Sequence, residues 1–422
     1  MKKITLSTVS LMIMSIGIQA EAVDNIIEVM NTPIKIKSVR GVLGEYDLME
    51  HMKGQLRAGY ITFSQDDASR TNAYALGGHC HFNTKRWNGW MVGAEAYAVL
   101  DLGINQNSIN QNADFFNKDG ESFILLSQVY LNGKWGNTEI KLGRQVLDTP
   151  HADSDDIRMI PNYFEAYTIT NTDMDQLTLS AGIIDKMAGW ENGVDSAKFI
   201  DVGETLGVNN DMDGIYYASA VYEGIKDLSL SLWYYHYSDI ANVIYAEAGY
   251  SYALSKDTTF TLGLQYDSSR ETGAALLGQQ DAETYGVSLE ADFSDLGLTV
   301  LAAYNKDNGS TGATGLSLGG GAFFTSMEDQ TPDAIGSAGE AWIIGAGYDF
   351  KNIGIEGLNC GIAYGSFEAN NASEYASREI DAMLEYTLNE KVSLAAAVAA
   401  VEFKVNTMED YTQFRLITNY NF

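Results

Sequence analysis

Cations, proline and cysteine are scarce in this sequence, and long apolar runs are missing. Lys and Arg number 26 against 56 Asp and Glu, for a formal net charge of −30. Phosphate binding needs clustered Lys and Arg, so this balance argues against a nucleic-acid partner. Two cysteines are too few to staple an exported chain of 422 residues with a disulfide framework. Proline is rare while Gly, Tyr and aliphatics are plentiful, which is not a disordered composition. The longest apolar candidate beyond the first residues, Val392 to Phe403, falls short of the ~18 residues a membrane-spanning helix needs.

The opening stretch "MKKITLSTVSLMIMSIGIQAEA" reads as a secretory signal. Lys2 and Lys3 form its positive end, Ile4 to Ile18 its apolar centre, and Ala20-Glu21-Ala22 a small-residue cleavage site. Residues 1–22 are therefore expected to be removed. Residues 23–52 show no clear periodicity and read as an N-terminal periplasmic segment, with Lys35, Lys37 and Arg40 either at the periplasmic mouth or in a simply disordered terminus. They are too few for the plug of an energised transporter.

From residue 53 onward, apolar and polar side chains alternate with period two, the mark of strands. In "DLSLSLWYY", Leu228, Leu230, Leu232 and Tyr234 oppose Ser229, Ser231, Trp233 and Tyr235. In "ETYGVSLEADF", Tyr285, Val287, Leu289 and Ala291 oppose Thr284, Gly286, Ser288, Glu290 and Asp292. The polar face carries Gly, Ser, Thr, Gln and acids, and the apolar face often begins or ends on an aromatic. That pattern fits lipid outside, water inside and aromatic girdles at both interfaces. Lipid cannot cap an open sheet edge, so the sheet must close. About 18 such segments occur, an even number as bacterial barrels require. The fold class expected for residues 53–422 is thus all-β, a transmembrane antiparallel barrel. The final segment "YTQFRLITNYNF" is its closing strand, paired with the first. Cys80 and Cys360 fall on outward faces of distant strands, which predicts two free, packed thiols.

The connections alternate in length. Lys134–Asn137, Glu223–Asp227 and Leu254–Asp257 are short turns. Residues 101–121, 146–162, 185–212, 268–281 and 305–339 are long polar loops. Short periplasmic turns and long outer loops are the asymmetry of outer-membrane barrels.

The most distinctive stretch is "GRQVLDTPHADSDDIRMIPNYFEA", residues 143–166. Its Gly143-Arg144-Gln145, Asp156-Ile157-Arg158, Pro161 and Phe164-Glu165 resemble the OprD-like outer-membrane porins. Ala166 stands where that family usually has Gly, which touches only local turn geometry. The resemblance implies a channel whose third loop folds inward as an eyelet. It also implies small solutes, often carboxylates or amino acids, passing between a basic ladder and acidic groups. By position Arg158, Asp155 and Asp156 look like eyelet residues. Arg144 is ambiguous: its parity follows Leu142, yet at a strand end it could reach headgroups or the eyelet.

Parity places Arg57, Lys141 and Arg415 on the lumen wall with Glu290 and Asp381. A cation on the lipid side near the midplane would cost about 2–4 kcal/mol. Lumen-facing Glu247, Asp267, Glu290, Asp292, Glu379, Asp381 and Glu385 outnumber the cations. Charge alone therefore points to a cation-leaning pore, the resemblance to carboxylates, and the two readings conflict. Many of these acids could equally solvate the wall or bind divalent cations near lipopolysaccharide.

Other motifs carry less. His79 and His81 share a strand face but lack a third ligand nearby in sequence, so no metal site is expected. The Gly-rich residues 309–321 lack the Lys-Ser/Thr ending of a phosphate loop, and no cofactor motif is present. Phe323 to Asp333 could tuck into the vestibule, which sequence alone leaves open. No Ser/His/Asp set stands at recognisable spacing, so the chain is not expected to be an enzyme. The expected function is passive diffusion of small hydrophilic solutes across a Gram-negative outer membrane, with lipid and lipopolysaccharide around a monomer or homotrimer. The alternative is an adhesin or binding protein on a β-barrel scaffold.

Overall fold

The computed structural model describes residues 49–422 apart from 67, 104, 106–111, 209–211 and 406. The expected signal and most of the segment before the barrel lie outside these residues. Where the sequence reading starts the first strand at residue 53, the structure starts it at Met49.

Antiparallel pairing runs continuously from Met49–Gln65 to Tyr411–Asn421, and these two strands then pair with each other. The described sheet holds 19 strands. One of them, Ile200–Asp201, is a two-residue piece on the outer rim, which leaves 18 that build the wall (19 − 1). Closure runs the hydrogen-bonded ladder round the whole wall with no open edge, as lipid demands, broken only by bulges such as the one between Glu95 and Ala96. The seam has Gln55 opposite Asn421, Arg57 opposite Asn419 and Ile61 opposite Arg415. Beyond it, Phe422 and Gly54 exchange backbone hydrogen bonds of 2.9 and 3.0 Å.

Period two decides which face each residue takes. On the first strand Leu56 is 53% exposed, while Arg57 and Ile61 are buried. Around the barrel, Leu230, Leu232, Leu262, Leu264, Val287 and Leu289 point outward. Ring pairs such as Trp90–Trp135, Tyr266–Tyr285 and Tyr420–Phe422 gather toward the strand ends, where amphipathic rings bridge lipid and water. Cys80 and Cys360 are free thiols on strands Thr71–Thr84 and Leu358–Ala369.

At one end the strands are joined by tight turns, at the other by longer loops. Three strands run further into the loop end than the alternation predicts. Leu177–Ala188, Thr258–Glu271 and Leu298–Asp307 extend past the loop starts read at residues 185, 268 and 305. Their polar ends stay in the ladder: Ser268 pairs with Glu283, Ser269 with Ala282 and Arg270 with Asp281.

The core lies inside the barrel, under the loops. Leu147 and Ala152 of the third outer loop (146–162) pack with Leu316 and Leu318 of the seventh (308–338) against Tyr235, Tyr237 and Val243 of the wall. Met159 of the third loop packs with Phe115, Phe116 and Ile61. Lumen-facing glycines make room for these loops. A Cβ at Gly59 would lie 2.6 Å from the Met159 sulfur, and one at Gly365 would collide with the Met327 sulfur.

Candidate functional site: a charged constriction

The third loop crosses the lumen in an irregular path that places its charged residues against the seam. Asp156 grips Arg57 through two contacts, Nη1–Oδ1 at 2.5 Å and Nη2–Oδ2 at 2.8 Å. Arg57 Nη1 also donates to the Arg158 carbonyl at 2.9 Å, and Nε to Asn419 Oδ1 at 2.8 Å. A fork-shaped cation on the wall thereby fixes both the loop and the seam.

Arg158 is 2% exposed. Its guanidinium stacks 4.2 Å over the Trp190 ring, and its Nε lies 3.5 Å from Asp114 Oδ2. That Nε is buried and finds no hydrogen-bond acceptor among the described residues. Burial, then the positive charge of Arg415, holds the Arg158 pKa below the usual guanidinium range.

The seventh loop also enters the lumen, which answers the question left open for residues 323–333. Gln265 Nε2 donates to the Ala322 carbonyl at 2.8 Å, and Thr325 N donates to Asn305 Oδ1 at 3.1 Å. Three successive amides of the loop then face wall carboxylates. Asp329 N and Gln330 N donate to Glu379 at 3.0 and 2.7 Å, and Glu328 N to Asp381 at 3.2 Å. This grip sets the Glu328 carboxylate on Arg415, with contacts of 2.9 Å to Nη1 and 3.1 Å to Nη2. Asp329 lies 3.4 Å from Gln413 Nε2.

An acidic group faces these cations. Asp155 adopts a positive φ of 31° on the third loop. Burial, then the charges of Glu191 and Asp153, pushes its pKa well above the usual carboxylate range. Burial likewise raises Glu191, although the Asn162 amide donates to it at 2.5 Å and the Gly320 N–H at 3.3 Å. Asp153 and Asp329 are each pushed up to about 6, chiefly by burial.

The candidate residues separate cleanly. Arg57, Asp156 and Arg158 meet one another through the contacts above. Arg415 and Asp381 join the constriction through the seventh loop. Lys141 faces the lumen with its ammonium 4.1 Å over the Tyr130 ring. Glu290 sits on the wall strand Asp281–Phe293 and takes no part in these contacts. Arg144 does not join the group: it pairs with Glu165 at 3.3 Å and lies 4.2 Å over Phe199. Its parity with outward Leu142 puts it on the other side of the wall.

The wall acids are less available than parity alone implies. Asp267 Oδ2 meets His151 Nε2 at 2.7 Å, Glu247 accepts from the Tyr245 hydroxyl, and Glu379 and Asp381 are taken by the seventh loop. Glu328, Asp329, Asp114 and His151 escaped the sequence reading. The lumen-facing glycines that admit their loops were the available signal. His79 and His81 lie 4.0 and 3.4 Å from Glu95 Oε2. No group of three or more donors among the described residues is arranged to hold a metal ion.

Residues 52–422 match the family described as "outer membrane porin, OprD family". The chain belongs to the OprD family. It is therefore an outer-membrane porin, a channel for small solutes, and the adhesin alternative finds no support. Solved structures with this fold include Pseudomonas aeruginosa OpdK with vanillate, at 21% identity and a TM-score of 0.74, covering 89% of this chain and 99% of that one. P. aeruginosa OccK9 (OpdG) matches at 19% identity and 0.76, covering 89% and 98%. Acinetobacter baumannii OccAB3 matches at 17% and 0.74, covering 89% and 99%. Comparison with curated proteins finds no match. The OprD porin described here is constricted by two inward loops, the third and the seventh.

Proposed function

We propose that this OprD porin passes small carboxylate-bearing solutes by diffusion, without chemistry, and that Arg158 is the cation that receives them. The observation that carries this is the state of Arg158. It is buried and stacked on Trp190, and its Nε, 3.5 Å from one Asp114 oxygen, finds no hydrogen-bond acceptor among the described residues, whereas Arg57 and Arg415 are each gripped by both oxygens of a loop carboxylate. A carboxylate satisfies a guanidinium fork in the plane of the group. The acids opposite, Asp155 and Glu191, would orient a solute carrying a cation at its other end, as in an amino acid. Opposed charges replace part of a solute's hydration while binding stays weak enough for release. Vanillate, named with the similar OpdK, is chemically a carboxylate and fits the same class.

The test is planar-bilayer recording of the purified porin in a potassium benzoate gradient. The reversal potential is expected to show benzoate passing in preference to potassium. Equal passage of the two rejects the reading. A cation preference set by the wall acids Glu290, Asp292 and Glu385 would also reject it.

A further inference from the structure

The arginine best placed to bind a solute after Arg158 is already occupied, and by the protein itself. Glu328 puts both carboxylate oxygens on Arg415, at 2.9 and 3.1 Å, and the pair is buried at 7% and 4% exposure. Arg415 is on the closing strand and near enough to Arg158 for the two charges to repel. A carboxylate held in that fork presents to Arg415 what a solute carboxylate would present.

Glu328 does not depend on this ion pair to stay in place. Its own amide is held by Asp381, and the next two amides by Glu379. Met327 packs against the wall beside Gly365, and Phe324 beside Gly263. The loop backbone is thus moored by contacts other than the Glu328–Arg415 pair. The flanking Asp329 adds a second acid facing Arg158 and Arg415.

We propose that Glu328 is a specificity-determining residue: a tethered carboxylate that occupies Arg415 at rest and is exchanged for the carboxylate of the passing solute. This rests on the carboxylate reading of the pore. Exchange keeps the charge count at Arg415 constant, so a solute anion gains the site without leaving a bare buried cation. A neutral solute cannot displace Glu328 and gains nothing from Arg415. A cationic one meets a pair already neutralised. Discrimination then comes from competition as well as from attraction.

The test compares wild type, Glu328→Gln, Arg415→Gln and the double variant in proteoliposomes, reading benzoate uptake against concentration and arabinose uptake as the neutral control. Glu328→Gln is expected to lower the half-saturating benzoate concentration by about tenfold, the scale of one charge-assisted hydrogen bond, with arabinose flux unchanged. Arg415→Gln is expected to abolish that gain in the double variant. Equal acceleration of benzoate and arabinose would mean that the loop has simply come loose, which overturns the proposal. Glu379→Gln, which loosens the mooring itself, serves as the reference for that outcome. Unchanged benzoate kinetics in Glu328→Gln, with wild type still preferring benzoate over arabinose, overturns the exchange role alone. A wild type with no such preference overturns the carboxylate reading together with it.

Discussion

The imidazole of His151, on the third loop, meets the carboxylate of Asp267, on the wall strand Thr258–Glu271, at 2.7 Å with both side chains fully buried. The other ring nitrogen lies 2.9 Å from the Ser317 hydroxyl of the seventh loop. Tyr235 and Tyr245 close on the ring edge-to-face. Next to it the loops share backbone bonds: Leu318 N donates to the His151 carbonyl at 2.9 Å and Asp153 N to the Leu318 carbonyl at 3.1 Å. One histidine therefore ties two constricting loops to the wall.

His151→Ala leaves the Asp267 carboxyl buried without that hydrogen-bond partner, and stranding a buried polar group costs about 1–3 kcal/mol. The cost is expected to fall on loop docking, because the wall is held by its own ladder. Single-channel traces should show frequent excursions to higher conductance while heat-modifiable migration in gels stays normal. Adding Asp267→Asn should restore part of the quiet baseline, since the stranded carboxyl is gone. A trace as quiet as wild type in the single variant would refute the tie.

Reversal of the receiving charge gives a second expectation. Arg158→Glu adds an acid beside Asp114 and Asp155 and removes the guanidinium stacked on Trp190. The reversal potential in a salt gradient should move toward cation preference, and benzoate uptake should fall about tenfold or more, on the scale of a lost charge-assisted bond. Arg144→Glu, on the other face of the wall, should leave selectivity where it was. Equal effects of the two would remove Arg158 from the constriction.

Selectivity should also depend on pH. Asp153 and Asp329 are each pushed up to about 6. Both are mostly ionised at pH 7 and mostly neutral at pH 5, so the constriction loses negative charge in that interval. Anion preference should rise on acidification, and Asp329→Asn should flatten the change. The same shifts bear on loop stability. A carboxyl whose folded pKa lies above its unfolded value of about 4 disfavours the folded state above pH 6. That penalty shrinks as pH falls through 6 toward 4, so the docked loops should become quieter over the range in which anion preference grows.

Much of the wall was legible in the sequence because a lipid-facing strand has only one way to alternate. Tyr163, Thr258 and Tyr411 begin strands directly after the loop ending at 162, after the turn ending at Asp257 and at the start of the closing segment. Parity put Arg57, Arg415, Asp267 and Asp381 on the inner face, where the structure has them. The outer strand ends were less legible, since residues such as Ser268 to Glu271 stay in the ladder with loop-like side chains. The constriction was legible by half. The third loop carries a recognisable motif, but the seventh meets Arg415, Glu379 and Gln265 across long stretches of chain. Contacts of that kind leave no local periodicity. Only small residues on the inner face, such as Gly263 and Gly365, hint at what comes to rest on them.

Those glycines yield a further expectation. Gly365→Val would collide with Met327 and push the seventh loop off the wall. Overpacking of this kind costs about 1–3 kcal/mol, which the closed barrel can bear and the loop cannot. Conductance to potassium chloride should rise as the seventh loop leaves the lumen. Unchanged conductance would show that the loop is held without this fit.

Arg57 and Arg415 belong to the first and last strands of the barrel, whose pairing closes the cylinder at the seam where Ile61 faces Arg415. Until that meeting, Asp156 and Glu328 have no shared frame to anchor to. A half-inserted chain is thus an unsorted hole, and discernment is acquired in the same event that completes the wall. Circular permutants that relocate the join would separate these two events in time and expose a brief leak during insertion.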